Sequence, residues 1–187
     1  MRHRVFIAIN LPEKIKNRLA RYETKWLELP VQWTKKDNLH ITLQFLGYVS
    51  DNDVMEIYNI VKQVSLRQKS FIVNLNSIAY GPKGKNPPRM IWAVGETSPE
   101  FTALKNDLEK SLIQSPNLPE NTQAFSPHIT LGRIRTWDFR KIEPEERPKI
   151  KEEIALSFEA ESIEIMESVL KRKGPSYTIL ESCQLKS

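Results

Sequence analysis

His40-Ile41-Thr42-Leu43 recurs as His128-Ile129-Thr130-Leu131, 88 residues further along the chain. The two tetrapeptides hold two of the three histidines in the sequence. In an extended strand, residues i and i+2 point to one face and their neighbours to the other. Each copy therefore offers an imidazole and a hydroxyl side by side, and turns Ile and Leu toward a core. If the two strands face each other, two imidazoles and two hydroxyls converge on one point. Two histidines can then act as general acid and general base, while threonine hydroxyls hydrogen-bond the group between them.

The flanks of the two tetrapeptides repeat as well. Val5 to Ile9 is a short apolar run that suits a central buried strand, and Pro12 suits the first turn of a helix. Ile15, Leu19, Tyr22, Trp26 and Leu29 follow at helical spacing until Pro30, and Leu39 to Leu46 is a strand closed by Gly47. In the second half, Met90 to Val94 is a strand. Ser98-Pro99-Glu100 opens a helix with Phe101, Leu104, Leu108 and Leu112 on one face, and Pro127 to Ile134 is a strand. The matching positions are offset by 85, 87 and 88 residues. This is an internal duplication of a β-α-β unit, over about residues 4–47 and 89–135. Duplicated halves pack about a pseudo-twofold axis, where a ligand can sit.

Between and after the repeats, Asp51 to Leu66 reads as a helix capped by Ser50 or Asp51, and Phe71 to Asn76 as a strand. The stretch Gly81 to Arg89 is a loop by composition, as is Ser115 to Phe125. The charge-rich stretch Ile142 to Leu156 has room for a short helix beginning at Pro148. Phe158 to Val169 and Tyr177 to Leu180 read as two strands flanking a hairpin loop at residues 171–175. No linker or composition break divides the chain, so residues 1–187 are expected to form one domain of two lobes.

Bulk composition narrows the function classes. A net charge of +5 favours anionic partners mildly, and a basic solvated surface explains it equally well. Cys183 is the single cysteine, which excludes an intrachain disulfide and a thiolate zinc cluster. No apolar run is long enough to span a bilayer, so a cytoplasmic protein with no membrane partner is expected. A catalytic zinc is disfavoured: there is no His-x-His or His-Glu-x-x-His, threonine is a poor ligand, and His3 lies outside the repeat. Nucleophile-elbow, Walker A and dinucleotide glycine patterns are absent. Metal-free acid–base chemistry on an anionic group remains, with no cofactor. Imidazole titrates near neutrality, so one histidine can be neutral and the other protonated. Cyclic phosphodiester hydrolysis suits such a pair.

The two His-x-Thr motifs are the signature of the 2H phosphoesterases. Over nearly its full length the chain resembles their RNA 2′,3′-cyclic phosphodiesterase branch, also called the 2′–5′ RNA ligase family. The segments that carry the resemblance are Arg4 to Pro12, Trp33 with Asn38 to Gly47, Phe125 to Arg133, and Glu167-Ser168 with Gly174-Pro175-Ser176-Tyr177. The resemblance implies an α+β, bilobal 2H fold: two antiparallel sheets flank a central cleft, with helices outside. It implies hydrolysis of a 2′,3′-cyclic phosphate, on RNA ends or nucleotides, to a 2′-phosphomonoester. Carried over by motif, His40 is the expected proton donor to the leaving 3′ oxygen and His128 the expected base. Thr42 and Thr130 are expected to hold the phosphate.

Phe45 and Arg133 each lie five residues after a motif histidine. They form a symmetric pair, Arg133 suited to phosphate and Phe45 to stacking a base. Strict alternation, however, puts both on the face opposite the histidines, and only a twist, a bulge or a strand end turns them inward. Lys83, Lys85 and Arg89 read as a solvated loop, Trp26, Trp33 and Trp92 as packing residues, and His3 as a surface residue. Two other functions stay open at this level: an RNA- or nucleotide-binding module, and 2′–5′ RNA joining in the same cleft. The physiological substrate and the oligomeric state are also open, with a monomer expected.

Overall fold

In the computed structural model of the protein, residues 2–115, 126–172 and 174–187 are described. The strands are β1 (Arg2–Asn10), β2 (Val31–Trp33), β3 (His40–Ser50), β4 (Phe71–Gly81), β5 (Met90–Gly95), β6 (His128–Ile134), β7 (Lys151–Ala160), β8 (Ser162–Lys171) and β9 (Gly174–Gln184). The helices are α1 (Glu13–Ala20), α2 (Asp51–Ser65), α3 (Pro99–Ile113) and the single turn α4 (Thr136–Phe139). Ser50 caps α2 through a reciprocal capping box with Asp53, and the Ser98 hydroxyl accepts from the Phe101 N–H at the start of α3.

The strands run in the order β7-β4-β5-β6-β3-β1-β8-β9, all antiparallel to their neighbours. The order is symmetric about its middle. β3 and β6 hold the centre, β1 and β5 flank them, and β8 and β4 come next. The two expected sheets are these halves, joined by a single couple, Ile41↔Ile129. Beyond it β3 and β6 part, and β2 pairs with the far end of β6 through Val31↔Ile134 and Trp33↔Gly132. The sheet is therefore continuous in hydrogen bonds yet splits open at its centre.

One face carries the main core. Ile7, Ile9, Ile41, Ile91, Ala93 and Ile129 pack there with Ile15 and Leu19 of α1, Ile57 and Val61 of α2, and Leu104 and Leu108 of α3. The first strand is buried on both faces, because Phe6 and Ala8 form a second small apolar cluster with Met166, against which Tyr177 packs.

Several sequence expectations are corrected. The first helix stops at Ala20 and tightens into a 3-10 turn at Arg21–Thr24. Trp26 and Leu29 still reach the core, from turns closed by Lys25 N–H to Tyr22 O and Leu29 N–H to Trp26 O. β3 runs on through Gly47 to Ser50, since Gly47 at φ 71° sits in a bulge rather than at a strand end. No helix begins at Pro148. A 3-10 turn at Pro144–Glu146 precedes it and β7 begins at Lys151, with Leu156, Phe158 and Ala160 alternating into the core beneath a charged outer face. The run Phe158 to Val169 breaks at Glu161 into β7 and β8, which lie in opposite halves. The loop expected from Ser115 to Phe125 falls outside the described residues after Ser115. Among the described residues, no helix is long and apolar enough to cross a membrane.

Candidate active site

The Ile41↔Ile129 couple fixes the site. Both side chains are fully buried on the core face. Their neighbours His40, Thr42, His128 and Thr130 therefore point to the opposite face, where the sheet opens. All four line one cleft of about 580 Å³, a volume ordinary for a small-molecule site.

Each imidazole is held the same way. His40 Nδ1 lies 2.7 Å from the Asn38 carbonyl, and His128 Nδ1 lies 2.7 Å from the Ser126 carbonyl. A carbonyl oxygen only accepts, so both rings carry their proton on Nδ1 when neutral and keep a lone pair on Nε2. At His40 the Thr42 hydroxyl donates to that Nε2 across 3.0 Å. Asn38 also ties the β8–β9 hairpin to the site, since its Nδ2 donates to the Pro175 carbonyl at 2.8 Å.

The flanking rings differ between the halves. Phe6 lies 4.9 Å from His40 at a tilt of 37°, and Tyr177 meets His40 edge-on at 5.3 Å. His128 instead lies flat on Trp92, with ring centroids 3.8 Å apart and 24° between planes. Gly81 makes room for that indole, because a Cβ at residue 81 would come within 2.2 Å of it. Burial pushes the His40 imidazole down to about 4, against the opposing pull of the Asn38 carbonyl, and His128 adds a smaller repulsion. Burial also lowers His128.

Phe45 and Arg133 do reach the cleft. In β3 the partners of β1 skip Leu43, with Ile7↔Gln44 followed by Ala8↔Thr42. In β6 the partners of β5 skip Leu131, with Ile91↔Gly132 followed by Trp92↔Thr130. Each motif thus carries a bulge at its fourth residue. The extra residue reverses the alternation, and the residue five after each histidine returns to the histidine face. Along the first seven residues the burial of β3 and β6 matches position by position. Gln44 and Gly132 take the inward places. The Gln44 amide oxygen accepts from buried Lys105 at 2.8 Å, while a Cβ on Gly132 would strike Val31 at 2.4 Å.

Arg4, Lys35, Asn38, Trp92 and Tyr177 are site residues that patterning did not single out for a role. Arg4 and Lys35 line the cleft with Arg133, and no carboxylate is among the described residues lining it. Alternation along β1 was the available signal for Arg4, which lies two and four residues from Phe6 and Ala8 on the cleft side. Nothing local marks Trp92, whose role depends on pairing with β6. Trp33 also lines the cleft, whereas Lys83, Lys85 and Arg89 do not. His3 is a clamp rather than a free surface group. Its ring bonds Asp51 at 2.9 Å and Glu167 at 2.7 Å, and these carboxylates raise its pKa.

Residues 7–92 match the family model of LigT-like phosphoesterases. The chain is 31% identical over 154 residues to the RNA 2′,3′-cyclic phosphodiesterase of Aeropyrum pernix, covering 81% of this chain and 85% of that one. It is 29% identical over 179 residues to the protein of the same name from Methanocaldococcus jannaschii, covering 95% and 98%. Among solved structures, TT0787 of Thermus thermophilus superposes with a TM-score of 0.83 at 26% identity, covering 98% of both chains. The chain belongs to the LigT-like phosphoesterase family of the 2H superfamily.

Proposed function

We propose that this phosphoesterase opens the 2′,3′-cyclic phosphate of an RNA end or nucleotide to the 2′-phosphomonoester, by metal-independent acid–base catalysis. The observation that carries the reading is the mirrored placement of the two imidazoles. Each has Nδ1 bound to the carbonyl two residues before it, which turns Nε2 toward proton transfer, free of any such carbonyl and met at His40 by the Thr42 hydroxyl, within a cleft that carries three cations and no carboxylate among its described lining. His128 Nε2 takes a proton from water as the water oxygen bonds to phosphorus. The bond from phosphorus to O3′ breaks, and protonated His40 gives its Nε2 proton to that oxygen. Thr42, Thr130 and Arg133 hydrogen-bond the non-bridging oxygens, whose charge grows in the transition state. Phe45 offers an exposed ring to the base.

Two imidazoles with hydroxyl neighbours make a poor ligand set for a divalent metal, which supports reaction without one. The test is turnover of a 2′,3′-cyclic nucleotide in excess EDTA, with the product identified by phosphorus NMR. A 2′-phosphate is expected, and His40→Ala or His128→Ala each lowers the rate at least about a hundredfold. A 3′-phosphate product, or activity lost to EDTA and restored by zinc, overturns the proposal.

A further inference from the structure

We infer that Arg4 is the seat of a second, non-reacting phosphate, so that the cleft takes the end of an RNA strand in preference to a mononucleotide. The inference rests on the function proposed above and deepens it.

The geometry gives the strand a direction. The ribose oxygen that leaves takes its proton from His40, so the nucleoside lies on the His40 side of the phosphate. The apolar rings near His40 are on that side: Phe6 lies 5.9 Å from Phe45 and 5.0 Å from Tyr177. Phe45 is 59% exposed and free to stack. Beyond these rings, Arg4 stands on the same face of β1 as Phe6 and Ala8, and it lines the cleft. Four residues separate Ala8, opposite Thr42, from Arg4, opposite Tyr48, a run of about 14 Å. A guanidinium reaches back over part of that distance. It is then one nucleotide away from the reacting phosphate rather than on it.

Charge adds a second argument. Lys25, Lys36, Arg67, Lys105, Arg135 and Lys141 are paired with carboxylates. No carboxylate pairs with Arg4 among the described residues. The reacting phosphate already has two imidazoles, two hydroxyls and Arg133. A further unpaired cation at the far end of the nucleoside path fits the phosphodiester on the 5′ side of the terminal nucleoside. Arginine suits it because its planar fork matches two phosphate oxygens.

The experiment compares kcat/KM for a trinucleotide ending in a 2′,3′-cyclic phosphate with kcat/KM for the mononucleotide. Wild type favours the trinucleotide, and Arg4→Ala lowers the ratio about tenfold, the loss of one charge-assisted phosphate contact. The slope of log kcat/KM against log salt for the trinucleotide becomes shallower by about 0.7 in Arg4→Ala, one single-strand phosphate's worth of released counterion. Arg4→Lys retains that slope and part of the ratio. Lys110→Ala, at an exposed lysine on α3, removes one charge away from the cleft and leaves the ratio as in wild type. The inference is overturned if wild type does not favour the trinucleotide. It is also overturned if Arg4→Ala lowers both substrates equally, or if Lys110→Ala matches Arg4→Ala. Mononucleotide turnover by the wild type reads the proposed function separately, so failure of one is distinguishable from failure of the other.

Discussion

A general acid must be protonated, yet burial holds free His40 at about 4, against an ordinary value of 6.5. Charging the ring at a pH near its ordinary value therefore costs about 3 kcal/mol. A bound phosphodiester can supply that energy. One negative charge about 4 Å from the imidazolium contributes about 4 kcal/mol at an effective dielectric of about 20. The acid is therefore expected to be charged by its own substrate, with a proton taken up on binding. Sulfate tests this cleanly, because its own charge is constant between pH 4 and 8. Titrated by nitrogen-15 NMR, the His40 ring should show its midpoint near 4 in the free protein and near neutrality when sulfate is saturating. By linkage, sulfate affinity should rise as pH falls from neutrality toward 4, by up to about tenfold per pH unit. For the same reason the alkaline limb of kcat, which reports the complex, should lie above that of kcat/KM, which reports the free enzyme. A sulfate affinity flat from pH 5 to 8, with the His40 midpoint unmoved by saturating sulfate, would refute this account.

Three further outcomes follow from the geometry. Without ligand, the unfolded chain binds the His40 proton below pH 6.5 and the native protein only near pH 4, so unfolding free energy should rise as pH rises from about 4 to 6.5. Urea titrations of His40→Asn should lack most of this slope. Trp92→Leu should lower kcat about tenfold and Trp92→Phe less, because an aromatic face stabilises the imidazolium that the proposed reaction makes of His128. If both variants give the same pH profile, the indole only fills space. Gly81→Ala should resemble Trp92→Leu in rate, since its methyl group drives the indole off His128. His3, raised by Asp51 and Glu167, stabilises the fold below pH 6.5 and loses that effect as pH rises through its own higher value. His3→Gln should therefore cost more stability at pH 6 than at pH 9 by denaturant titration.

The duplicated tetrapeptides located the centre of the site, because strand alternation is a local rule and Ile41 and Ile129 obey it. Alternation failed where each strand holds an extra residue. A bulge is set by the neighbouring strand, and neither Leu43 nor Leu131 differs from an ordinary strand leucine. The direction of Phe45 and Arg133 was thus hidden, although the one structural device that settles it was foreseeable. Helical spacing from Ile15 to Leu29 was equally misleading beyond Ala20, since successive turns can present apolar groups at nearly the same interval. In β7 the charged outward residues masked a period-two core face. The stacking of Trp92 on His128 depends on the pairing of β5 with β6, which no local pattern encodes, whereas Arg4 was legible from alternation along β1.

A twofold-symmetric groove would admit a substrate equally well in either orientation, and half of all encounters would place the wrong oxygen before the acid. The matched bulges bear on that degeneracy. They bring two equivalent positions into the cleft, and there the chain has placed unlike residues, a flat apolar ring at Phe45 and a cation at Arg133. A preference of about 1.4 kcal/mol between the two orientations is enough to align ten molecules for every one reversed. Polarity is thereby written at two sites that the repeat itself made equivalent, while the two tetrapeptides remain identical.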